Sequence, residues 1–373
     1  MKKKKKYTLR KFINDVHLWL GLASGIILFL VCFSGTMLVF EDEIKGLFAE
    51  DFKVEAQEQK ISIDSLAVML QAEGEVTAVK ISDEDNLPYE FRVKTSPEDR
   101  RGSVFYVDPY MGKILKAQAN PLDGFFMTMF RMHRWLLLDS TIGRPIVGVA
   151  SIIFFFLAIS GIVLWFPKKW KWKNFKPGFK IKFSARWKRI NHDLHNTLGF
   201  YACIFLVIMV LTGLCWSFGW YRDAGSEVLG TKIFGNRGGP KIQSEGDFAP
   251  GERLSISAIY DNASERLDYP GTTNISFPSS EKGVYQIRKY DESNFSPVVA
   301  DELILDQNGE MLSQELFEQK GLNVQIASLI KPIHTGEVFG IFSKVIYFLA
   351  CLIATSLPVT GTIIWLNKMK KKK

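Results

Sequence analysis

Residues 17–35 read HLWLGLASGIILFLVCFSG, and residues 195–213 read HNTLGFYACIFLVIMVLTG. Each stretch opens on a histidine and places a glycine one helical turn later, Gly21 or Gly199. Each reaches a small hydroxyl–glycine pair seventeen residues after its histidine, Ser34-Gly35 or Thr212-Gly213. The two stretches lie in runs without Lys, Arg, Asp or Glu, 16–40 and 194–221, and two more such runs occupy 145–166 and 345–367. About 20 apolar residues in a helix cross a hydrocarbon core of about 30 Å. The chain is therefore expected to span a membrane four times.

The second and fourth runs also match. Ser160-Gly161-Ile162-Val163-Leu164-Trp165 answers Thr360-Gly361-Thr362-Ile363-Ile364-Trp365, with Arg144 and Lys344 sixteen residues upstream and His133 and His334 further back. Self-similarity at this scale reads as duplication. The expected architecture is a membrane all-α four-helix bundle made of two duplicated helix hairpins, related by an axis along the membrane normal. Small residues beside Ser or Thr also let membrane helices approach without any chemistry.

The net charge of +8 hides an asymmetry. Residues 1–15 carry Lys2 to Lys6, Arg10 and Lys11; the loop 167–190 carries ten Lys or Arg and no acid; the chain ends on Lys368 and Lys370 to Lys373. Segments 41–125 and 221–337 each hold eighteen acids, against ten and eleven bases. By the positive-inside rule both termini face the cytoplasm and the two acidic segments lie outside. A basic start before an apolar run also suits a cleaved signal peptide. The 25-residue run at 16–40 is too long for that, and no A-x-A-like site follows it. Cys32, Cys203, Cys215 and Cys351 all fall inside apolar runs, where cysteine acts as a small hydrophobe.

The expected divisions are 1–40 (terminus and first span), 41–120 (first outer domain), 121–166 (interfacial helix and second span), 167–190 (basic loop), 191–221 (third span), 222–331 (second outer domain) and 332–373 (fourth span and tail). Both outer segments read as small α+β domains. Ile61–Ala72 predicts a helix, followed by strands at Val76–Ser82, Tyr89–Lys94, Ser103–Val107 and Lys113–Ala117. Leu254–Ala263 predicts the second helix, followed by strands at Thr272–Phe277, Val284–Lys289, Leu303–Leu305 and Glu310–Leu312. The Gly-rich stretch 221–250 reads as a connecting loop.

Four of the five histidines occupy the matched positions. An imidazole in a membrane helix is costly and by default marks a ligand, a proton relay or a pathway. Neutral imidazole binds haem iron well, and two from facing helices fill both axial positions. His17 and His195 both begin helices leaving the cytoplasm, whereas His133 and His334 both precede helices entering from outside. One His–His site is thus expected near each face, each taking one b-type haem. Gly21 and Gly199 give a flat macrocycle room on the ligand's own helix face. A single histidine at a polar–apolar boundary has a plainer reading as an amphipathic ring at ease there. Repetition argues against it. His192 lies on the face of His195, as an alternative ligand or a hydrogen-bonding neighbour.

The outer pair needs a change of chain direction. Ser140–Pro145 reads as a break, leaving Gly124–Leu138 as an interfacial helix that turns His133 inward. Arg131, Arg134, Arg144 and Lys344 suit haem propionates, an anionic substrate or lipid headgroups.

The H-L-W-L-G opening, the V-D-P-Y-M-G-K-I-L run at 107–115, I-N-H-D-L-H-N-T-L-G at 190–199 and S-G-I-V-L-W-F-P at 160–167 resemble the PepSY-associated transmembrane family. The resemblance implies two periplasmic PepSY-like domains, haem in the bundle and reduction of ferric siderophores for iron uptake. It carries His17, His195, His133 and His334 over as ligands, and it implies the bacterial cytoplasmic membrane. The expected partners are the lipid bilayer, a periplasmic ferric siderophore and an unidentified electron donor, either a cytoplasmic protein or a quinol; no nucleic acid is expected. No G-x-G-x-x-G follows a strand, so the sequence shows no nucleotide site for a donor of its own. Two other readings compete: a cofactor-free membrane regulatory or binding protein, and a component of an iron-chelate transporter.

Overall fold

The computed structural model describes residues 7–48, 52–96, 102–115, 120–234, 242–244, 246, 252–292 and 294–370. The chain divides into two compact units, one built from Met1–Leu47, Pro121–Ile233 and Ala327–Lys373, the other from Phe48–Asn120 and Phe234–Ile326. The lysines at 2–6 and 371–373 lie outside the described residues.

The first unit is helical. Helix α1 (Leu9–Leu38) starts where the Thr8 hydroxyl accepts the Lys11 N–H, and short α2 (Glu41–Gly46) follows it. Later come α4 (Asp123–Trp135), α5 (Ser140–Trp165), short α6 (Trp172–Phe175), α7 (Trp187–Asp193), α8 (Gly199–Ser217) and α9 (Gly219–Leu229). The unit closes with α12 (Ile330–Thr335) and α13 (Gly340–Met369). Among the described residues four helices are long and apolar enough to cross a membrane, Leu9–Leu38, Ser140–Trp165, Trp187–Ser217 and Gly340–Met369, so this is a multi-pass membrane protein. They form a ring: α1 packs on α5 and α13, and α8 packs on the same two. Helices α1 and α8 therefore face each other across it. Alanines at the contacts, Ala202 with Ala350 and Ala354, and Ala150 beside Leu28, let the backbones come close.

Three details depart from the sequence expectations. The break before the second span lies at Leu136 and Leu137, both with positive φ, rather than at Ser140–Pro145, which forms the first turns of α5 behind an Asp139 cap. Pro145 stands inside α5, where its missing N–H leaves the Thr141 carbonyl without the usual backbone donor one turn on. The third span is not uniform. Leu194–Leu198 forms a π-turn between α7 and α8, the kind of bulge that often marks a functional residue. The stretch 221–250 begins as helix, since α9 runs to Leu229 and ends on Gly230 in the left-handed region; most of 235–250 lies outside the described residues.

The second unit holds α3 (Ile63–Leu70), α10 (Ile256–Arg266) and strands β1 (Glu75–Ile81), β2 (Tyr89–Lys94), β3 (Ser103–Val107), β4 (Ile114–Leu115), β5 (Gly271–Ser276), β6 (Tyr285–Asp291), β7 (Ala300–Leu305) and β8 (Met311–Glu315). Helix α11 (Leu322–Ser328) follows in sequence. The expectation of two separate domains is corrected here. Among the described residues the eight strands form one antiparallel sheet in the order β4-β3-β2-β1-β5-β6-β7-β8. The halves join where Ala78–Ile81 pairs with Ser276–Thr273, and one core runs through both, with Leu66, Phe91, Ile259, Ile275 and Leu303 fully buried. Each such side chain contributes about 1.5–3 kcal/mol on burial, and the shared core gathers more of them than either half would alone. Asp64 of α3 also caps α10, accepting the N–H groups of Ile256 at 2.7 Å and Ser257 at 3.0 Å.

Candidate functional site: two histidine pairs

The bundle brings the four matched histidines together in two pairs. His17 of α1 faces His195 of the π-turn with ring centroids 6.4 Å apart and planes at 89°. His133 of α4 faces His334 of α12 at 6.2 Å and 53°. Imidazole nitrogens bind a metal at about 2 Å, and each nitrogen stands roughly 1.2 Å from its ring centre, so two rings on one ion sit about 6.4 Å apart. Both spacings suit one ion between each pair.

Each ring rests on a Ser/Thr-Gly pair of another helix. His17 Nδ1 lies 2.8 Å from Ser160 Oγ, and His195 Nδ1 lies 2.9 Å from Thr360 Oγ1. Those hydroxyls donate their own protons to carbonyls one turn back, Phe156 at 2.7 Å and Ser356 at 2.9 Å. They can only accept from the rings, so Nδ1 carries the proton. In the other pair Nδ1 donates to a backbone carbonyl, Val31 for His133 and Met209 for His334, each at 2.9 Å. All four rings thus share one tautomer, which leaves the Nε2 lone pair for a ligand. Burial also lowers the pKa of His133 and brings that of His334 down to about 4, so both stay neutral at pH 7.

The glycines of these pairs make the seats. A Cβ on Gly213 would stand 2.9 Å from His334 Cε1, one on Gly35 3.0 Å from His133 Cε1, one on Gly361 3.2 Å from His195 Cε1 and one on Gly161 3.5 Å from His17 Cε1. The sequence reading gave these residues only a helix-contact role. Their second role was signalled by the recurrence of a Ser/Thr-Gly pair in each of the four spans.

A cavity of about 490 Å³ opens beside the first pair, lined by His17, His195, Gly21, Gly199, Leu157 and Phe200 among others. Arg10, Lys11, Lys168 and Lys368 also line it. The walls are apolar and cations stand among them, an arrangement that suits a flat apolar group bearing carboxylates. The sequence reading missed all four cations. Arg10 is held by donating to the Leu164 carbonyl at 2.6 Å. Among the described residues no three or more of His, Cys, Asp and Glu converge, so the histidines meet only as pairs. Two protein ligands are too few for a bare ion but suffice for iron already held by four nitrogens of a macrocycle. The residues fit haem.

The chain was also compared with known proteins. Residues 15–368 match the PepSY-associated TM region family. The chain belongs to that family. No curated protein sequence matches it.

The other expected site residues of this PepSY-associated chain fall out differently. His192 is exposed at the cavity wall, its Nδ1 3.5 Å from Asp193 Oδ1, and it is His195 that faces His17. Arg131 and Arg144 are exposed, and the Arg134 guanidinium lies over the rings of Phe130 and Trp135 at 5.4 and 5.3 Å. Lys344 is buried and bound to both Glu43 oxygens at 2.6 and 2.7 Å, so it clips α2 to α13. Trp216, not singled out by sequence, packs on His334 at 5.3 Å.

Proposed function

We propose that this chain binds two b-type haems, one between His17 and His195 and one between His133 and His334. With them it carries electrons across a bacterial cytoplasmic membrane to a ferric siderophore in the periplasm. The single observation behind this reading is the two facing ring pairs whose Nδ1 protons are all engaged. Bound haem supplies a one-electron couple whose potential depends on burial and on hydrogen bonds to its ligands.

The chain's own residues do the rest. Ser160, Thr360, Val31 and Met209 fix ring orientation and tautomer. Arg10, Lys11, Lys168 and Lys368, which line the first site, would meet propionate carboxylates there. The basic loop 167–190 supports a cytoplasmic position for that end, where the donor is a protein or a quinol. The substrate is an Fe(III) chelate with hard oxygen donors. Reduction to Fe(II) weakens that binding and releases the metal.

The test is the absorption spectrum and haem content of the purified protein. Two low-spin haems per chain are expected, with one lost in His17→Ala and the other in His334→Ala. A protein that stays colourless after haem reconstitution overturns the proposal and leaves the cofactor-free regulatory reading; uptake of intact chelate into vesicles would favour a transporter component.

A further inference from the structure

We propose that the loop between the second and third spans is the landing surface for a small acidic one-electron carrier, an iron–sulfur or flavin protein. A run of packed aromatic rings leads from that loop to the first histidine pair. The inference rests on the di-haem reading and adds its partner and point of entry.

Residues 167–190 carry ten Lys or Arg and no acid, and Lys169, Lys171, Lys173 and Lys176 are exposed. The loop is pinned rather than free: the Trp165 indole donates to the Gly178 carbonyl at 3.1 Å and the Tyr201 hydroxyl to that of Phe179 at 3.0 Å. Its charges are held as an ordered surface. Within it Trp170 is 77% exposed and stacks on Phe166, with centroids at 5.4 Å and planes at 15°. Phe166 meets Trp165 edge-on at 5.5 Å, and Trp165 lies flat on Phe200 at 3.8 Å and 12°. Phe200 lines the cavity that holds His17 and His195. Electronic coupling decays less steeply through packed side chains than through water, so this run connects the surface to the site.

A cationic surface raises the encounter rate with an acidic partner, and electron-transfer complexes are small and salt-sensitive. A basic loop with exposed tryptophans is also read as a headgroup contact. Headgroups explain the charge but not a ring run that ends at the cavity wall. In the transfer step the reduced cluster or flavin would be oxidised by one electron, and the one-electron acceptor that His17 and His195 would hold would be reduced. No bond is made, and no proton has to move.

The test uses the full chain in nanodiscs of phosphatidylcholine alone, with an acidic ferredoxin and an acidic flavodoxin as probes. Saturable binding of at least one is expected, weakening about tenfold or more as salt is raised well past physiological strength. The triple variant Lys171→Glu, Lys173→Glu, Lys176→Glu is expected to lose that binding by about tenfold or more. Trp170→Leu is expected to bind normally, to be reduced by dithionite at the normal rate, and to be reduced by the carrier several-fold more slowly. Equal binding by the triple variant overturns the proposal. So does binding of neither carrier, or a loop that responds only when phosphatidylglycerol is added to the nanodiscs. The haem spectrum of the same samples reports separately on the di-haem reading, because carrier binding is scored with or without haem.

Discussion

Alanine at Gly213 probes the seat of the second pair, and alanine at Gly161 serves as its control. A Cβ on Gly213 would stand 2.9 Å from His334 Cε1, whereas one on Gly161 would stand 3.5 Å from His17 Cε1, within ordinary contact. Gly213→Ala must therefore move the ring or α8 by about half an ångström, and site geometry tolerates only about that much. The ring has little room to yield. Its Nδ1 is tied to the Met209 carbonyl at 2.9 Å and Trp216 packs on it at 5.3 Å. Overpacking costs about 1–3 kcal/mol, while alanine in place of glycine inside a helix returns up to about 1 kcal/mol. Gly213→Ala should thus lose roughly 0–2 kcal/mol and Gly161→Ala should be neutral or slightly more stable. Haem per chain and melting temperature are the assays. Gly213→Ala is expected to lose or perturb one of two haems while Gly161→Ala keeps both. Two unperturbed haems in Gly213→Ala would refute the seating.

The buried pair of Lys344 and Glu43 should respond asymmetrically. Glu43→Gln strands an ammonium that is 6% exposed and should cost about 2–4 kcal/mol, whereas Lys344→Met leaves a half-exposed carboxylate and should cost less; paired melting curves decide. In the sheet unit, Gly271 has φ +155° and its Cβ would collide with the Tyr290 carbonyl, so Gly271→Ala should unfold that unit, read as lost sheet signal in circular dichroism with helical signal retained.

The spans and the pairing of histidines were legible because both leave marks on one sequence. Uncharged runs of more than twenty residues have few other uses, and a matched spacing from histidine to Ser/Thr-Gly announces itself when the halves are laid side by side. The first six strands match their expected limits closely where they are described, because alternation marks a half-buried face. Strand β7 begins three residues before the expected Leu303, and β8 runs three past the expected Leu312. What alternation does not mark is the neighbour. Nothing in Thr77–Ile81 or Gly271–Ser276 says that these two strands pair, so one sheet read as two domains. The cations at the cavity were missed for a similar reason. Arg10, Lys168 and Lys368 come from three separate helix ends, and their charges were absorbed into the orientation argument.

The two pairs also differ in how their Nδ1 protons are held, and the difference is measurable. His133 and His334 donate to backbone carbonyls, which no substitution removes, and His334 Nδ1 also lies 3.1 Å from the Thr212 hydroxyl. His17 and His195 donate to the Ser160 and Thr360 hydroxyls. An acceptor on Nδ1–H makes the imidazole a stronger donor and favours the ferric state. Ser160→Ala should therefore raise the midpoint potential of the first site. A hydrogen bond of about 1 kcal/mol sets the ceiling, on the order of 40 mV for one electron. Ser34→Ala, whose hydroxyl bonds no ring and only shares the Val31 carbonyl with His133, should shift the second site's potential less. A spectroelectrochemical titration of the two variants separates the sites. Equal shifts in both, or a fall in Ser160→Ala, would mean that the hydroxyls do not hold the rings in the way the hydrogen bonds indicate.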